Sequence, residues 1–251
     1  RDKQLIELHK EPNNNNYAVG DIYLGKVKKV VPGLNACFVD VGHEKDGFLH
    51  YLDLGPKIRT FQNFVERNIA KKLSTASLRN FKKEPEIEKS GKIDEVMDGG
   101  KCVLVQVAKE PISTKGPRLT TELTIAGRYM VLVPFSDKVS VSQKIESQEE
   151  RKRLKKLVQS IKPQGFGVII RTVAENKMVA DLDADIKNLY RKWQVIYKQM
   201  KKVKVSTKVL GELGRTASLL RDLLNDDFAN IYVNDEELYA KIKDYIGRIS
   251  P

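Results

Sequence analysis

The sequence predicts an α+β protein of more than one domain, in which a five-stranded barrel precedes a smaller α+β unit. Apolar residues alternate with polar ones in five short segments, as expected for half-buried strands. These segments are residues 21–31, 35–41, 47–49, 101–108 and 118–125. Five such strands with tight turns between them are typical of a barrel of the OB type. Strand and helix patterns then alternate between residues 128 and 172, which predicts the second unit.

The composition predicts a globular, basic protein with a polyanionic partner. The chain has 251 residues, and 45 Lys and Arg against 33 Asp and Glu give a net charge of +12. Nucleic acid is the partner that such a charge favours, although a merely solvated basic surface would have the same composition. Cys37 and Cys102 lie in predicted strands without metal-ligand spacing. No apolar run is long enough to span a bilayer, so we expect a cytoplasmic protein.

Phe38 is the residue that alternation singles out in the second strand. Cys37, Val39 and Val41 share one face of this strand, so Phe38 faces the opposite way. An outward aromatic ring on a basic barrel is suited to stacking with a nucleic-acid base.

The barrel sequence is interrupted between its third and fourth strands. Residues 56–100 are rich in charged residues and contain one weakly amphipathic piece near residues 58–65, so we expect a partly mobile insertion. The loop at residues 110–117 carries Lys115 and separates the last two strands.

The second unit is predicted to contain strands at residues 129–133, 139–144 and 167–170 and a helix at 147–161. The outer face of this helix is basic, which fits either a solvated surface or contact with phosphates. Its cations are Arg151, Lys152, Arg153, Lys155 and Lys156.

A longer helix is predicted at residues 181–203, where apolar residues recur in steps of three and four. Trp193 lies in this apolar stripe, which favours packing over base stacking. Asp181, Asp183 and Asp185 open the helix. Acids are favoured at a helix N-terminus, and we prefer that interpretation to a metal site.

Both ends of the chain contribute further elements. We predict a strand at residues 5–8, a helix at 215–224, a strand at 230–233 and a helix at 235–249 capped by Asn234. If the two strands pair, the barrel and the α+β unit are insertions into one subdomain that is split between the two ends.

Five stretches carry a resemblance to a known family. The barrel is similar to S-one-type OB domains, with GDIYLGKV, GLNACFVDVG and DGFLH in order. Together with RLTTELTIAGRYMVLVP and GVIIRT, these stretches resemble the N-terminal half of the bacterial ribonuclease E/G family. That family cuts RNA endonucleolytically in single-stranded regions during decay or rRNA and mRNA processing, and many members favour a 5′ monophosphate.

The resemblance implies a domain organisation. Residues 1–20 and 206–251 would form a split RNase H-like α/β subdomain, residues 21–125 the RNA-binding barrel, and residues 126–205 a 5′-sensor region with the long helix. The insertion at residues 56–100 is long for the family barrel. Gln143 stands where the family often has a basic residue.

The resemblance also implies roles for individual residues. Phe38, Phe48 and Lys115 match barrel positions that contact single-stranded RNA, although alternation alone leaves open whether Phe48 or Leu49 faces the core. Four further residues match the pocket that senses a 5′ phosphate: Gly127, Val131, Arg171 and Thr172. A salt bridge at the end of a strand is the alternative role for Arg171.

The family cuts RNA with paired aspartates that hold Mg²⁺, and it links subunits with Zn²⁺ on a later CPxC motif. Neither motif occurs up to Pro251. We therefore expect no catalytic or metal-binding residue in this chain, and both metals in a further C-terminal part. Single-stranded RNA is the expected partner, and the whole family protein is expected to be a homo-oligomer. The alternative is a free-standing, non-catalytic RNA-binding or ribosome-associated protein.

Overall fold

A computed structural model describes residue 8 and residues 17–211, 215–224 and 230–249 of the chain. In chain order, the elements of the first unit are the strands β1 Ile22–Val31, β2 Ala36–Asp40 and β3 Gly47–His50, the helix α1 Ile58–Ile69, and the strands β4 Cys102–Lys109 and β5 Arg118–Thr120. The elements of the second unit are β6 Ile125–Ala126, β7 Met130–Pro134, β8 Val139–Val141, α2 Gln148–Ile161, β9 Phe166–Ile170 and α3 Val179–Met200. The last elements are β10 Thr207–Leu210, α4 Arg215–Leu223 and α5 Glu236–Ile249.

The first five strands close into a barrel, which confirms the predicted OB-type fold. Their order is β1-β2-β3-β5-β4, and β1 pairs with β4 to complete the ring. The β3 and β5 strands run parallel, whereas the other neighbours in the ring are antiparallel. A ring of this kind leaves no long open edge in the barrel wall.

The barrel interior follows the alternation of the strands. Cys37, Val39 and Leu49 are fully buried, as is Val105 of β4. Leu104 on the other face of β4 is buried as well, because α1 packs on this strand. A short 3-10 turn at Pro32–Leu34 connects β1 to β2 and ends at Asn35, which adopts a left-handed backbone conformation. The proline at the first position of this turn and the left-handed residue after it reverse the chain tightly.

The segment at residues 56–100 begins with a helix that is packed against the barrel, and most of its residues between 70 and 92 are exposed. Its first part forms α1, a helix whose buried side includes Ile58, Phe61, Phe64 and Val65. This spacing of three and four residues is that of a helix with one apolar face. The predicted amphipathic piece is therefore a helix of 12 residues, longer than the sequence pattern indicated.

The second unit is a four-stranded sheet with the order β6-β7-β9-β8. The α2 and α3 helices pack on this sheet. The predicted strand at residues 118–125 is wrong in its extent, because the chain leaves the barrel after Thr120 and enters the second sheet at Ile125. The bend is fixed by Gln106, whose amide donates to the Thr124 carbonyl at 2.9 Å and whose side-chain oxygen accepts from the Thr124 N–H at 2.9 Å.

Trp193 of α3 is fully buried, as the packing interpretation predicted. Its ring stacks on Phe64 of α1 at 5.4 Å and meets Phe166 of β9 edge to face at 5.6 Å. Its Nε1 donates to the Ala76 carbonyl at 2.8 Å. One side chain therefore joins the helix of the barrel, the second sheet and the segment after α1.

Near the chain ends, one strand was not predicted, two predictions were wrong, and one prediction lies outside the described residues. The β10 strand was not predicted, and it pairs with the first part of β1. Residues 230–233 form no strand, and Tyr232 is 90% exposed, because the described residues offer no backbone partner there. The cap of α5 is Asp235, which accepts from the Leu238 N–H at 2.7 Å, and not Asn234. The predicted strand at 5–8 lies outside the described residues except for Leu8, so the split subdomain stays a prediction.

Across the described parts of the chain, none of the helices combines the length and apolar character needed to cross a bilayer.

Candidate nucleic-acid interface

Two aromatic rings form one surface of the barrel. Phe38 on β2 lies opposite Phe48 on β3 in the strand register, and the ring centroids are 5.8 Å apart in an edge-to-face arrangement. Both rings are half-buried, whereas Cys37 and Leu49 beside them are fully buried. Leu49 therefore faces the core, and Phe48 lies on the outer surface together with Phe38.

The two rings border a cleft of about 650 Å³. The loop after β4 forms the opposite side and brings Lys115 to the same cleft. Gly116 allows this loop to lie directly against the turn before β3, because a Cβ there would collide with the Asp46 carbonyl. The structure thus brings Phe38, Phe48 and Lys115 together.

The cleft has an excess of unpaired positive charge. Its Asp46 carboxylate is paired with Lys28 at 2.9 Å, and Arg118 binds both carboxylate oxygens of Asp53 at 3.0 Å. Three exposed lysines on the cleft have no ion-pair partner among the described residues: Lys45, Lys109 and Lys115. Sequence reasoning missed Lys45, which lies in the turn before β3, and Lys109, which ends β4.

A second group of side chains lies at one end of the β6-β7-β9-β8 sheet. Arg171 follows β9, and its Nη1 donates to the Gly127 carbonyl at 2.9 Å. The Thr172 hydroxyl is 2.9 Å from the Ser142 hydroxyl after β8. The predicted residues Gly127, Arg171 and Thr172 are therefore neighbours, with a guanidinium and two hydroxyls at the same end of the sheet.

Asp185 of α3 fixes the turn on which this group depends. Its carboxylate accepts from the backbone N–H groups of Arg128 at 3.2 Å, Tyr129 at 3.0 Å and Met130 at 3.0 Å. Burial raises the pKa of Asp185, and these hydrogen bonds oppose that effect. A Cβ on Gly127 would lie 2.7 Å from both carboxylate oxygens, so a larger residue at this position would have to displace the Asp185 carboxylate.

Arg171 already has an anionic partner. Its Nη1 is 2.7 Å from the Asp222 carboxylate of α4, and the Arg171 side chain remains 25% exposed. Burial raises the pKa of Asp222, but the hydrogen bonds and charges of Arg221 and Arg171 outweigh it, so the pKa lies below its ordinary value. The salt bridge considered as an alternative for Arg171 is present, and sequence reasoning did not find its partner.

The face of the second sheet opposite its buried side carries aliphatic side chains. Val131 on β7 lies opposite Ile169 on β9, which is 43% exposed. Arg171 follows Ile169 by two residues, so both side chains start from the same side of the chain. Val131 therefore belongs to the same end of the sheet as Arg171 but makes no hydrogen bond with it.

The three acids at the start of α3 do different things and do not fit a metal site. Asp181 accepts from the Met178 N–H at 3.1 Å, and Asp183 pairs with Lys187 on the next turn. Asp185 points to the β6–β7 turn. Within the described ranges, no group of three His, Cys, Asp or Glu side chains is placed to hold a metal ion.

The closed barrel and its aromatic cleft define a protein of the OB-fold class. Comparison with known proteins then gives the family. Residues 124–251 match the model of the Ribonuclease E/G family. Ribonuclease G of Haemophilus influenzae is 34% identical over 98% of this chain, and ribonuclease E of Synechocystis sp. is 36% identical over 86% of it. The chain belongs to the Ribonuclease E/G family, as its motifs indicated.

The chain spans about half the length of the ribonuclease G relatives that it matches. The aligned part is 46% of the Haemophilus influenzae protein and 47% of the Escherichia coli K12 protein. The Synechocystis ribonuclease E is aligned over 26% of its own length.

Proposed function

We propose that this chain binds single-stranded RNA across the barrel cleft, as the RNA-recognition part of an endoribonuclease acting in RNA decay or processing. The observation that carries the proposal is the half-exposed pair Phe38 and Phe48 beside three lysines that have no ion-pair partner in the described part of the chain. Bases of any identity stack on aromatic rings, and cations along a groove bind the backbone. This combination suits a single strand, because its bases are not held in a duplex and can stack on the rings.

We propose further that the end of the second sheet recognises a 5′ monophosphate. Arg171 and the Thr172 hydroxyl offer charge-assisted hydrogen bonds to phosphate oxygens. Val131 and the exposed Ile169 supply an apolar surface on which the first base packs. In this proposal, a terminal phosphate replaces the Asp222 carboxylate as the partner of Arg171.

We assign no catalytic residue for RNA cleavage to these two sites. Mg²⁺ for cleavage, Zn²⁺ for a link between subunits and assembly into a homo-oligomer enter the proposal only through the family resemblance. No residue of the two sites is assigned to them.

Phe38→Ala is expected to weaken binding of a short single-stranded RNA by about 1 to 3 kcal/mol, because one base loses its stacking partner. Fluorescence anisotropy with a labelled oligonucleotide measures this change. Tyr239→Ala is the matched control, because Tyr239 is a 51% exposed aromatic on α5. Equal affinity of Phe38→Ala and wild type, with an unchanged circular dichroism spectrum, would remove the cleft from the RNA site.

Arg171→Ala is expected to abolish the preference for a 5′-monophosphorylated RNA over the same RNA with a 5′ hydroxyl. One hydrogen bond to a charged group contributes about 1.5 to 3 kcal/mol, so the lost preference is roughly 10- to 100-fold. Binding of the hydroxylated RNA should stay nearly the same. The measurement is the ratio of the two dissociation constants, and Arg191→Ala removes an equal charge from an exposed position of α3.

Asp222→Asn is the complementary variant. Removing the competing charge is expected to raise affinity for the phosphorylated RNA by about two- to fivefold, the range of a partly exposed ion pair. If neither Arg171→Ala nor Asp222→Asn changes the affinity for either RNA, the result would instead favour the alternative, a non-catalytic RNA-binding protein that shares the barrel.

A further inference from the structure

A second concave surface lies on the segment after α1, and it shares no residue with the barrel cleft. Its volume is about 360 Å³. Four cations line it, namely Arg67 and Lys72 at the end of α1 and Arg79 and Lys82 from the following segment. Three hydroxyls, one amide and the apolar Leu73 and Phe81 complete the lining, and no carboxylate is among the lining residues. We call this surface the basic pocket.

The wall of the basic pocket is held in place by buried contacts on its inner side. The Leu73 carbonyl accepts from the Tyr197 hydroxyl at 2.7 Å and from Lys201 Nζ at 2.6 Å. The Ala76 carbonyl accepts from Trp193, and the Leu78 side chain is only 4% exposed. These contacts fix the backbone of an otherwise irregular segment, so the pocket is formed before any ligand arrives.

The residues between these anchors face outward and offer hydrogen-bond donors. Thr75 Oγ1 accepts from the Ser77 N–H at 3.2 Å, and Ser77 Oγ accepts from the Arg79 N–H at 3.3 Å. Each hydroxyl therefore uses an acceptor site locally and keeps its own O–H to donate. Donors on a cationic wall match the acceptor oxygens of a phosphate.

Ion pairing does not account for the four cations. None of them forms an ion pair with a described carboxylate, whereas Lys83 next to Lys82 pairs with Asp137 at 2.6 Å. The negative end of α1 accounts for cations in its last turn, such as Arg67, but Arg79 and Lys82 come from the following segment. Arg67 also lies over the Phe81 ring at 5.5 Å, which holds its guanidinium at the pocket edge.

We propose that the basic pocket binds the phosphodiester backbone of RNA and forms a second contact for strands that extend beyond the barrel cleft. This inference rests on the proposed function and deepens it, since it concerns the length of RNA that the chain binds. The ligand chemistry is that of phosphate oxygens. A free phosphate ion would satisfy the same groups, so the experiment separates these two sources.

The test compares two triple variants of the whole 251-residue chain that each remove three positive charges. Lys72→Ala/Arg79→Ala/Lys82→Ala changes the basic pocket. Lys152→Ala/Lys155→Ala/Lys156→Ala changes three exposed lysines of α2 that form no ion pair within the described residues and is the control. Binding is measured by anisotropy over a series of salt concentrations, with single-stranded RNAs of about 6 and about 25 nucleotides. The shorter length lies within the site of one OB fold.

For the long RNA, the pocket variant is expected to bind at least about tenfold more weakly. Its plot of log affinity against log salt concentration should be less steep by about 2, because each lost phosphate contact changes the slope by roughly 0.7 for a single strand. The control variant should change neither quantity to this extent. Binding of the short RNA should be the same for both variants and wild type.

Three results would overturn the inference. Equal losses in the two triple variants would indicate a general effect of net charge, and an unchanged pocket variant would remove the site. Calorimetry with inorganic phosphate, against chloride at matched ionic strength, tests whether the pocket binds a free phosphate ion instead. If the pocket variant loses the heat of phosphate binding but still binds the long RNA as wild type does, the pocket is a site for the free ion. If the short RNA is still bound in these cases, the proposed RNA site in the barrel cleft is not contradicted. If the wild-type chain binds neither RNA, both proposals are contradicted.

Discussion

Trp193→Ala is expected to lower the free energy of unfolding by about 3 to 5 kcal/mol, the range for removing a large buried aromatic side chain. Trp193 is fully buried, and it contacts aromatic rings from α1 and from the second sheet. Its loss also leaves the Ala76 carbonyl without its 2.8 Å hydrogen bond from the indole. The expected effect is therefore larger than that of removing packing from only one unit.

Urea denaturation followed by circular dichroism measures this loss, because Trp193 is the sole tryptophan and fluorescence would vanish with it. Trp193→Phe provides a milder variant, with about 1 to 2 kcal/mol expected from the unpaired carbonyl and the smaller ring. Tyr232→Ala changes a 90% exposed aromatic and should stay within about 0.5 kcal/mol of wild type. A loss below about 1 kcal/mol for Trp193→Ala would contradict the role of this side chain as the joint between units.

Asp185→Ala is expected to destabilise the chain by about 2 to 3 kcal/mol at neutral pH. The substitution leaves the N–H groups of Arg128, Tyr129 and Met130 without the carboxylate that accepts from all three. The turn that carries Gly127 should loosen at the same time. The proposed recognition of a 5′ phosphate by Arg171 should weaken as a secondary result, because the Gly127 carbonyl orients its guanidinium.

Asp183→Ala is the control for this variant, because Asp183 lies on the same helix and makes only a surface pair with Lys187. We expect a change of about 0.5 kcal/mol or less there. The pKa of Asp185 is raised from its ordinary value of 3.8 by burial, so folding favours its protonated form. Its stabilising contribution is thus fully present below pH 3.8 and declines as pH rises through the raised pKa. The difference in the free energy of unfolding between wild type and Asp185→Ala should become smaller over the same pH range. A difference that grows with pH would contradict a raised pKa for Asp185.

Much of the barrel could be predicted because its signals are local. Alternation in β2 alone places Cys37 inside and Phe38 outside, and the structure agrees. The three-and-four spacing of α3 likewise predicted Trp193 as a core residue. In both cases neighbouring residues in the chain contain the whole pattern, so no knowledge of distant contacts is needed.

The remaining features depend on contacts between distant parts of the chain. Asp185 looks like an ordinary acid near a helix start, and only the packing of α3 against the β6–β7 turn reveals its three hydrogen bonds. Asp222 reaches Arg171 from α4, far along the chain from β9, and nothing in its own neighbourhood indicates this ion pair. The segment at residues 230–233 has the β-branched and aromatic residues of a strand, but such residues form one only where a partner strand is available.

The position of β10 has a consequence for the order in which the protein folds. Leu24 near the start of β1 pairs with Thr207, so the rim of the barrel joins residues from near the two ends of the described chain. Contacts this far apart in sequence form slowly, since the loop between them must close first. During synthesis the N-terminal strands therefore emerge long before β10 is available, and β1 is left with one edge partly uncovered. The strands of the second sheet lie closer together in sequence, so this sheet has time to form within that interval. The α3 helix contacts both this sheet and β10, and it places β10 beside the barrel.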